Sequence, residues 1–211
     1  MMIRKATTAV MMMAALALAG SASASLVNAG FETDDTSGGD TGTPTGWQGF
    51  NNNFTSSQSA PAFEGVNVVK MFGPFGGIGE ASGIFQDVAA SAGDNVVASV
   101  QAQNWSGDAL GGNNFGAINI EFYDAAGAQL EVAFGDQIVA GSTQDVWMQL
   151  DASGVAPAGT TTARLVLLHV QNSDPVAGGS VFYDAASITV PEPGSLALLG
   201  LGGLALLRRR R

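Results

Sequence analysis

Eight short apolar runs, each bracketed by Gly, Asn, Asp, Ser or Pro, leave this chain few folds to choose from. They are residues 66–72, 84–88, 96–103, 117–123, 130–134, 146–150, 163–171 and 181–190. Val, Ile, Leu and aromatic residues alternate with polar ones in most of them, as a half-buried strand requires. No segment between them carries the 3.6-residue apolar repeat of an amphipathic helix. The pattern predicts an all-β chain, and a jelly-roll β-sandwich of two antiparallel sheets is the expected architecture.

Alternation also predicts which side chains face outward. In 96–103, Val96, Ala98, Val100 and Ala102 point one way and Ser99, Gln101 and Gln103 the other; in 117–123, Ile118, Ile120 and Phe122 oppose Asn119, Glu121 and Tyr123. If the two strands share a sheet, these six polar residues form one amide-rich face suited to hydrogen-bonding a sugar. Trp105, in Asn104-Trp105-Ser106-Gly107-Asp108, is the expected aromatic platform beside it, since an aromatic ring packs on the C–H face of a pyranose. Trp47 is expected to close the end of the core. Trp147 falls opposite Val146 and Met148 by strict alternation.

The two ends of the chain are of a different kind. Arg4 and Lys5 precede an apolar stretch, residues 9–19, and Ala22-Ser23-Ala24 supplies small residues before a cut, so residues 1–24 read as a signal peptide for the Sec route. At the other end, Pro191-Glu192-Pro193 interrupts regular structure, because proline lacks an amide donor and fixes its own φ. Twelve apolar or glycine residues follow, 196–207, and then Arg208 to Arg211, which would stay cytoplasmic. The run is shorter than the ~20 residues of an ordinary spanning helix. It is expected to form a short hydrophobic helix and a transient inner-membrane anchor.

Motif, apolar run and arginine cluster together resemble the PEP-CTERM sorting signal of Gram-negative bacteria. The resemblance implies processing by exosortase at Pro191, Glu192 and Pro193 and export to the cell surface or beyond. Residues 25–190 then form one β-sandwich domain and residues 191–211 the sorting signal.

Without both ends the composition sharpens. Residues 26–190 hold 17 of the 18 acids but only two cations, Lys70 and Arg164, a formal charge of −15. Such a surface excludes nucleic acid as a partner, because binding a phosphate backbone requires neutralising it. A cation-binding role and a saline habitat both suit that charge. The chain has no cysteine, so no disulfide stabilises the exported domain.

Over most of the mature chain a second resemblance emerges. Leu26-Val27-Asn28-Ala29-Gly30-Phe31-Glu32, Gly46-Trp47, Gly83-Ile84-Phe85-Gln86-Asp87-Val88, Asp145-Val146-Trp147 and Val181-Phe182-Tyr183-Asp184 look like successive landmarks of carbohydrate-binding modules with a galactose-binding-like jelly roll. The resemblance implies a structural Ca2+ held by Glu32 and Asp184. Calcium takes six to eight oxygen ligands, and carboxylates with backbone carbonyls would clamp the two chain ends. Where many relatives carry a second acid, this chain has Ala185. Asp34, Asp35 and Asp40 do not fit an EF-hand spacing and read as a solvated turn.

Catalytic motifs are missing from the sequence. It has no Gly-x-Ser-x-Gly elbow, no His-Glu-x-x-His, no phosphate loop and no cysteine nucleophile. Glu64, Glu80, Glu121 and Glu131 sit in no recognisable pair for glycoside hydrolysis. His169, among leucines on a strand, reads as a hydrogen-bonded structural residue. The expected function is that of a non-catalytic surface or matrix protein that binds polysaccharide, including the cell's own exopolysaccharide. A structural or adhesive matrix protein without a glycan ligand is the alternative, and a polysaccharide-active enzyme the third reading.

Overall fold

The computed structural model describes residues 25–173 and 176–190. The expected signal peptide, the Pro191-Glu192-Pro193 motif and the expected C-terminal helix lie outside them. Ten strands form: β1 (Gln48–Phe50), β2 (Asn53–Ser56), β3 (Val68–Phe72), β4 (Ala81–Ala89), β5 (Asn95–Gln103), β6 (Phe115–Tyr123), β7 (Gln129–Val139), β8 (Trp147–Val155), β9 (Thr162–Val170) and β10 (Ser180–Thr189). A single 3-10 turn, Ser106–Asp108, interrupts the link from β5 to β6.

Two five-stranded sheets result. The first runs β1-β4-β9-β6-β7 and the second β2-β3-β10-β5-β8, with antiparallel pairing throughout. Each of the eight expected runs is a strand. The two strands that sequence missed, β1 and β2, lie in residues 48–56, where the run Asn51 to Asn53 breaks any apolar alternation. Asn51, at φ +55°, turns the chain from one sheet to the other.

The core lies between the inward faces. Ile84, Ile118, Ile120, Phe122, Leu165 and Leu167 of the first sheet meet Val69, Met71, Val96, Val100, Leu150 and Val181 of the second, all essentially inaccessible. Tyr183 reaches across this core and its hydroxyl donates to Leu168 O at 2.7 Å, which satisfies a buried polar group without solvent. Trp47 closes one end as expected, its ring tilted against Phe31 at 5.3 Å between centres and its Nε1 donating to Asn28 O. A bulge in β7 at Gly135 brings β7 against β8; a Cβ there would lie 2.5 Å from Asp151 O.

The sheet order corrects one expectation. β5 belongs to the second sheet and β6 to the first, so Ser99, Gln101 and Gln103 point out of one side of the sandwich and Asn119, Glu121 and Tyr123 out of the other. The proposed single six-residue face does not exist. Their inward partners meet in the core, which forces their outward side chains apart.

Candidate functional site

Each sheet carries one of the domain's two cations on its outer face, Arg164 on the middle strand β9 and Lys70 on β3. On the first sheet, pairing places Gln48, Phe85, Val166, Asn119 and Phe134 in one row across all five strands. The next row holds Asp87, Arg164, Glu121 and Val132. Arg164 grips Asp87 with two hydrogen bonds, Nε to Oδ1 at 2.6 Å and Nη2 to Oδ2 at 3.0 Å. Its guanidinium also lies 3.9 Å from the Phe85 ring centre and 4.6 Å from that of Tyr123. The planar, weakly hydrated guanidinium suits this stacking better than an ammonium would.

Asp87 and Tyr123 raise the affinity of Arg164 for its proton, Asp87 most strongly, so the charge is fixed. Tyr123 donates its hydroxyl to Glu121, and burial together with that carboxylate pushes its pKa up to about 12. The phenol therefore stays protonated. This face holds Asn119, Glu121 and Tyr123 from the expected set and adds Arg164, Asp87, Phe85 and Phe134. Phe134 is 79% exposed at the edge strand. Three strand spacings separate it from Phe85, ~14 Å, enough for a short oligosaccharide to lie across the strands. Beyond Phe134 the surface continues into a recess at the β7–β8 seam lined by Val97, Asp136, Asp151 and Ser153.

On the second sheet the central row is Phe54, Lys70, Phe182, Gln103 and Trp147, and the row beside it includes Asp184, Gln101 and Gln149. Lys70 sits 5.8 Å from Phe54 and 5.7 Å from Phe182 and pairs with Asp108 at 2.6 Å. Burial pushes the Asp108 carboxyl up, but Lys70 and the Ser180 hydroxyl outweigh it and hold it below the usual range. Trp105 packs edge-on to Phe182 at 5.7 Å, and Phe63 edge-on to Trp147 at 6.0 Å. Trp105, Gln101 and Gln103 thus share this face. Trp147 stands outward, as strict alternation requires.

The segment before β3 roofs part of the second face, held by the two carboxylates expected to bind calcium. Asp184 Oδ2 accepts the Phe63 and Glu64 N–H groups, and Glu32 Oε1 accepts those of Val66 and Asn67. Between them Gly65 has φ +62°, and a Cβ there would lie 2.4 Å from the Glu32 carboxyl. Glu64, not expected as a calcium ligand, lies nearby; its Oε1 would lie 2.8 Å from a Cβ on Gly30. Burial pushes Asp184 up to about 6, against the pull of three backbone N–H donors, and the Glu64 charge adds to the rise. Among the described residues no three His, Cys, Asp or Glu side chains converge closely enough to hold a metal alone.

His169 departs from expectation. It is fully buried, as a structural residue should be, yet neither ring nitrogen has a hydrogen-bond partner. Burial lowers its pKa, so it is neutral near pH 7. Asp34 and Asp35 serve as turn caps, accepting from Thr45 and from Ser37 N.

The architecture is that of an all-β jelly-roll sandwich. In fold the chain is similar to the Stig cyclase Fisc from Fischerella sp. TAU, with 16% identity, a TM-score of 0.56 and coverage of 80% of this chain and 98% of that one. It is similar to an arabinose-bound α-L-arabinofuranosidase, with 16% identity, a TM-score of 0.57 and coverage of 81% of this chain and 27% of that one. The module TmCBM61, solved in complex with beta-1,4-galactotriose, matches at 15% identity with a TM-score of 0.48 over 79% of this chain and 97% of that one. At these identities the likeness concerns the fold alone. No curated protein matches the chain. Residues 189–211 match the PEP-CTERM protein-sorting motif, the signal carried by Pro191, Glu192 and Pro193 and one that implies exosortase processing.

Proposed function

We propose that the protein is exported by the Sec route, processed by exosortase, and binds polysaccharide non-catalytically on the outer face of its first sheet. The row Gln48, Phe85, Asn119 and Phe134 carries this reading. It sets the exposed Phe134 ring, able to pack on a sugar C–H face, and the exposed Gln48 amide, able to pair with hydroxyls, at its two ends, with Phe85 under the Arg164 guanidinium and the buried Asn119 between them. The two acids of the face are committed, Asp87 to Arg164 and Glu121 to Tyr123, which favours binding over glycoside hydrolysis. The domain's charge favours an uncharged polysaccharide, and the cell's own exopolysaccharide is a candidate only if neutral.

Affinity gel electrophoresis of the purified protein in neutral polysaccharides such as xylan and galactan tests the site. Phe134→Ala should weaken retardation about tenfold, the equivalent of losing ~1.4 kcal/mol of apolar contact, without lowering Tm. Unchanged retardation in this variant would remove Phe134 from the site.

Calcium is a second element of the proposal. Glu32 and Asp184, the two carboxylates that hold the segment before β3, would each supply a hard oxygen ligand, with backbone carbonyls supplying the rest of the six to eight that calcium takes. The ion would join the first chain segment to β10.

A further inference from the structure

We propose that the outer face of the second sheet is a separate site for a second neutral polysaccharide chain, centred on Trp147 and on Gln101, Gln103 and Gln149. It rests on the same ligand class as the first-sheet reading but on different residues. Strand pairing sets Gln103 directly beside Trp147, and Gln101 directly beside Gln149. Gln103 is 3% exposed and its Oε1 has no hydrogen-bond partner. An acceptor left buried and unpaired is costly, and a hydroxyl donor is what it lacks.

The walls match that need. Trp147 is half-buried, with Phe63 against its edge, and Trp105 leans on Phe182 on the other side of Gln103. Gln149, exposed, already donates to Asp151 Oδ1 at 2.8 Å and keeps its amide oxygen for a ligand. Lys70 is consumed by Asp108 and the two rings, so this face offers no free cation to an anionic polymer. Amides and indoles without free charge recognise uncharged, hydroxyl-rich chains.

The consequence is geometric. The two outer faces point in opposite directions, with the ~10 Å sheet separation and both strand layers between them. A short oligosaccharide cannot reach both, so one domain holds two chains and joins them. Export of such a protein would supply a cross-link to a polysaccharide matrix rather than a monovalent label.

Titration of the purified protein with xylan and galactan oligosaccharides, together with the viscosity of the parent polymers, tests this. Two sites per chain and a rise in viscosity are expected. Phe134→Ala with Gln48→Ala should leave one site, as should Gln101→Ala with Gln149→Ala, and either pair should abolish the viscosity rise. These four residues are on the surface or partly so, and an unchanged Tm confirms folding. One site per chain that survives the Gln101/Gln149 pair overturns the second site alone. Failure of the wild-type protein to bind either polymer overturns both sites.

Discussion

Gly65→Ala is the sharpest perturbation of the segment that roofs the second face. Gly65 has φ +62°, a left-handed conformation that costs an alanine ~1–2 kcal/mol. The added Cβ would also fall 2.4 Å from the Glu32 carboxyl, which cannot retreat without releasing the Val66 and Asn67 N–H groups. Each such charge-assisted bond is worth ~1.5–3 kcal/mol, although the two are not independent. Losing part of that pairing on top of the strain gives a total of ~3 kcal/mol. For a domain of this size the corresponding fall in Tm is ~6–12 °C.

Thermal unfolding followed by circular dichroism measures it, with Gly77→Ala as control, because no atom lies within 4 Å of a Cβ there and its φ is not left-handed. A cycle with Glu32→Gln separates the two causes. If the clash acts through Glu32, the double variant should be less destabilised than the sum of the single ones. A Gly65→Ala Tm within about 1 °C of wild type would refute the clamp.

Calcium added to chelator-treated protein should raise Tm, because a ligand bound only by the folded state stabilises it, and Glu32→Gln should remove the gain. The pH dependence follows from Asp184: between its unfolded value near 3.8 and its folded value of about 6 the folded protein binds more protons, so this group's contribution to stability falls as pH rises through that window. Calcium competes with that proton, and its stabilising effect should be larger at pH 7 than at pH 5; equal gains would contradict the Asp184 assignment. His169 acts with the opposite sign. Its folded pKa lies below 6.5, so stability present at neutral pH is lost as pH falls below 6.5, and His169→Leu should flatten that loss. An unaltered pH profile in the variant would show that the imidazole is not desolvated.

Strand existence was legible because burial of one face writes a period of two into the sequence, as in β5, where Val96, Ala98, Val100 and Ala102 are all buried. Partnership between strands was not. Nothing local in 96–103 or 117–123 says that the first pairs with β8 and β10 and the second with β7 and β9, so their outward polar residues could not be assigned to one face or two. Hydrogen-bond registry between distant segments decides that. Glu32 and Asp184 were named only through a family resemblance, and the four N–H groups they hold come from a segment with no period to read. Arg164 had a signal that went unused. Residues 26–190 keep only two cations among 17 acids, and both lie against aromatic rings.

The central claim is that the outer face of the first sheet receives a polysaccharide. Backbone amide chemical shifts of the isotope-labelled protein, followed while a neutral oligosaccharide is titrated in, test it directly. Shifts should cluster at Phe85, Asn119, Glu121, Phe134 and Arg164. Saturable binding with shifts absent from β4, β6, β7 and β9 would contradict it.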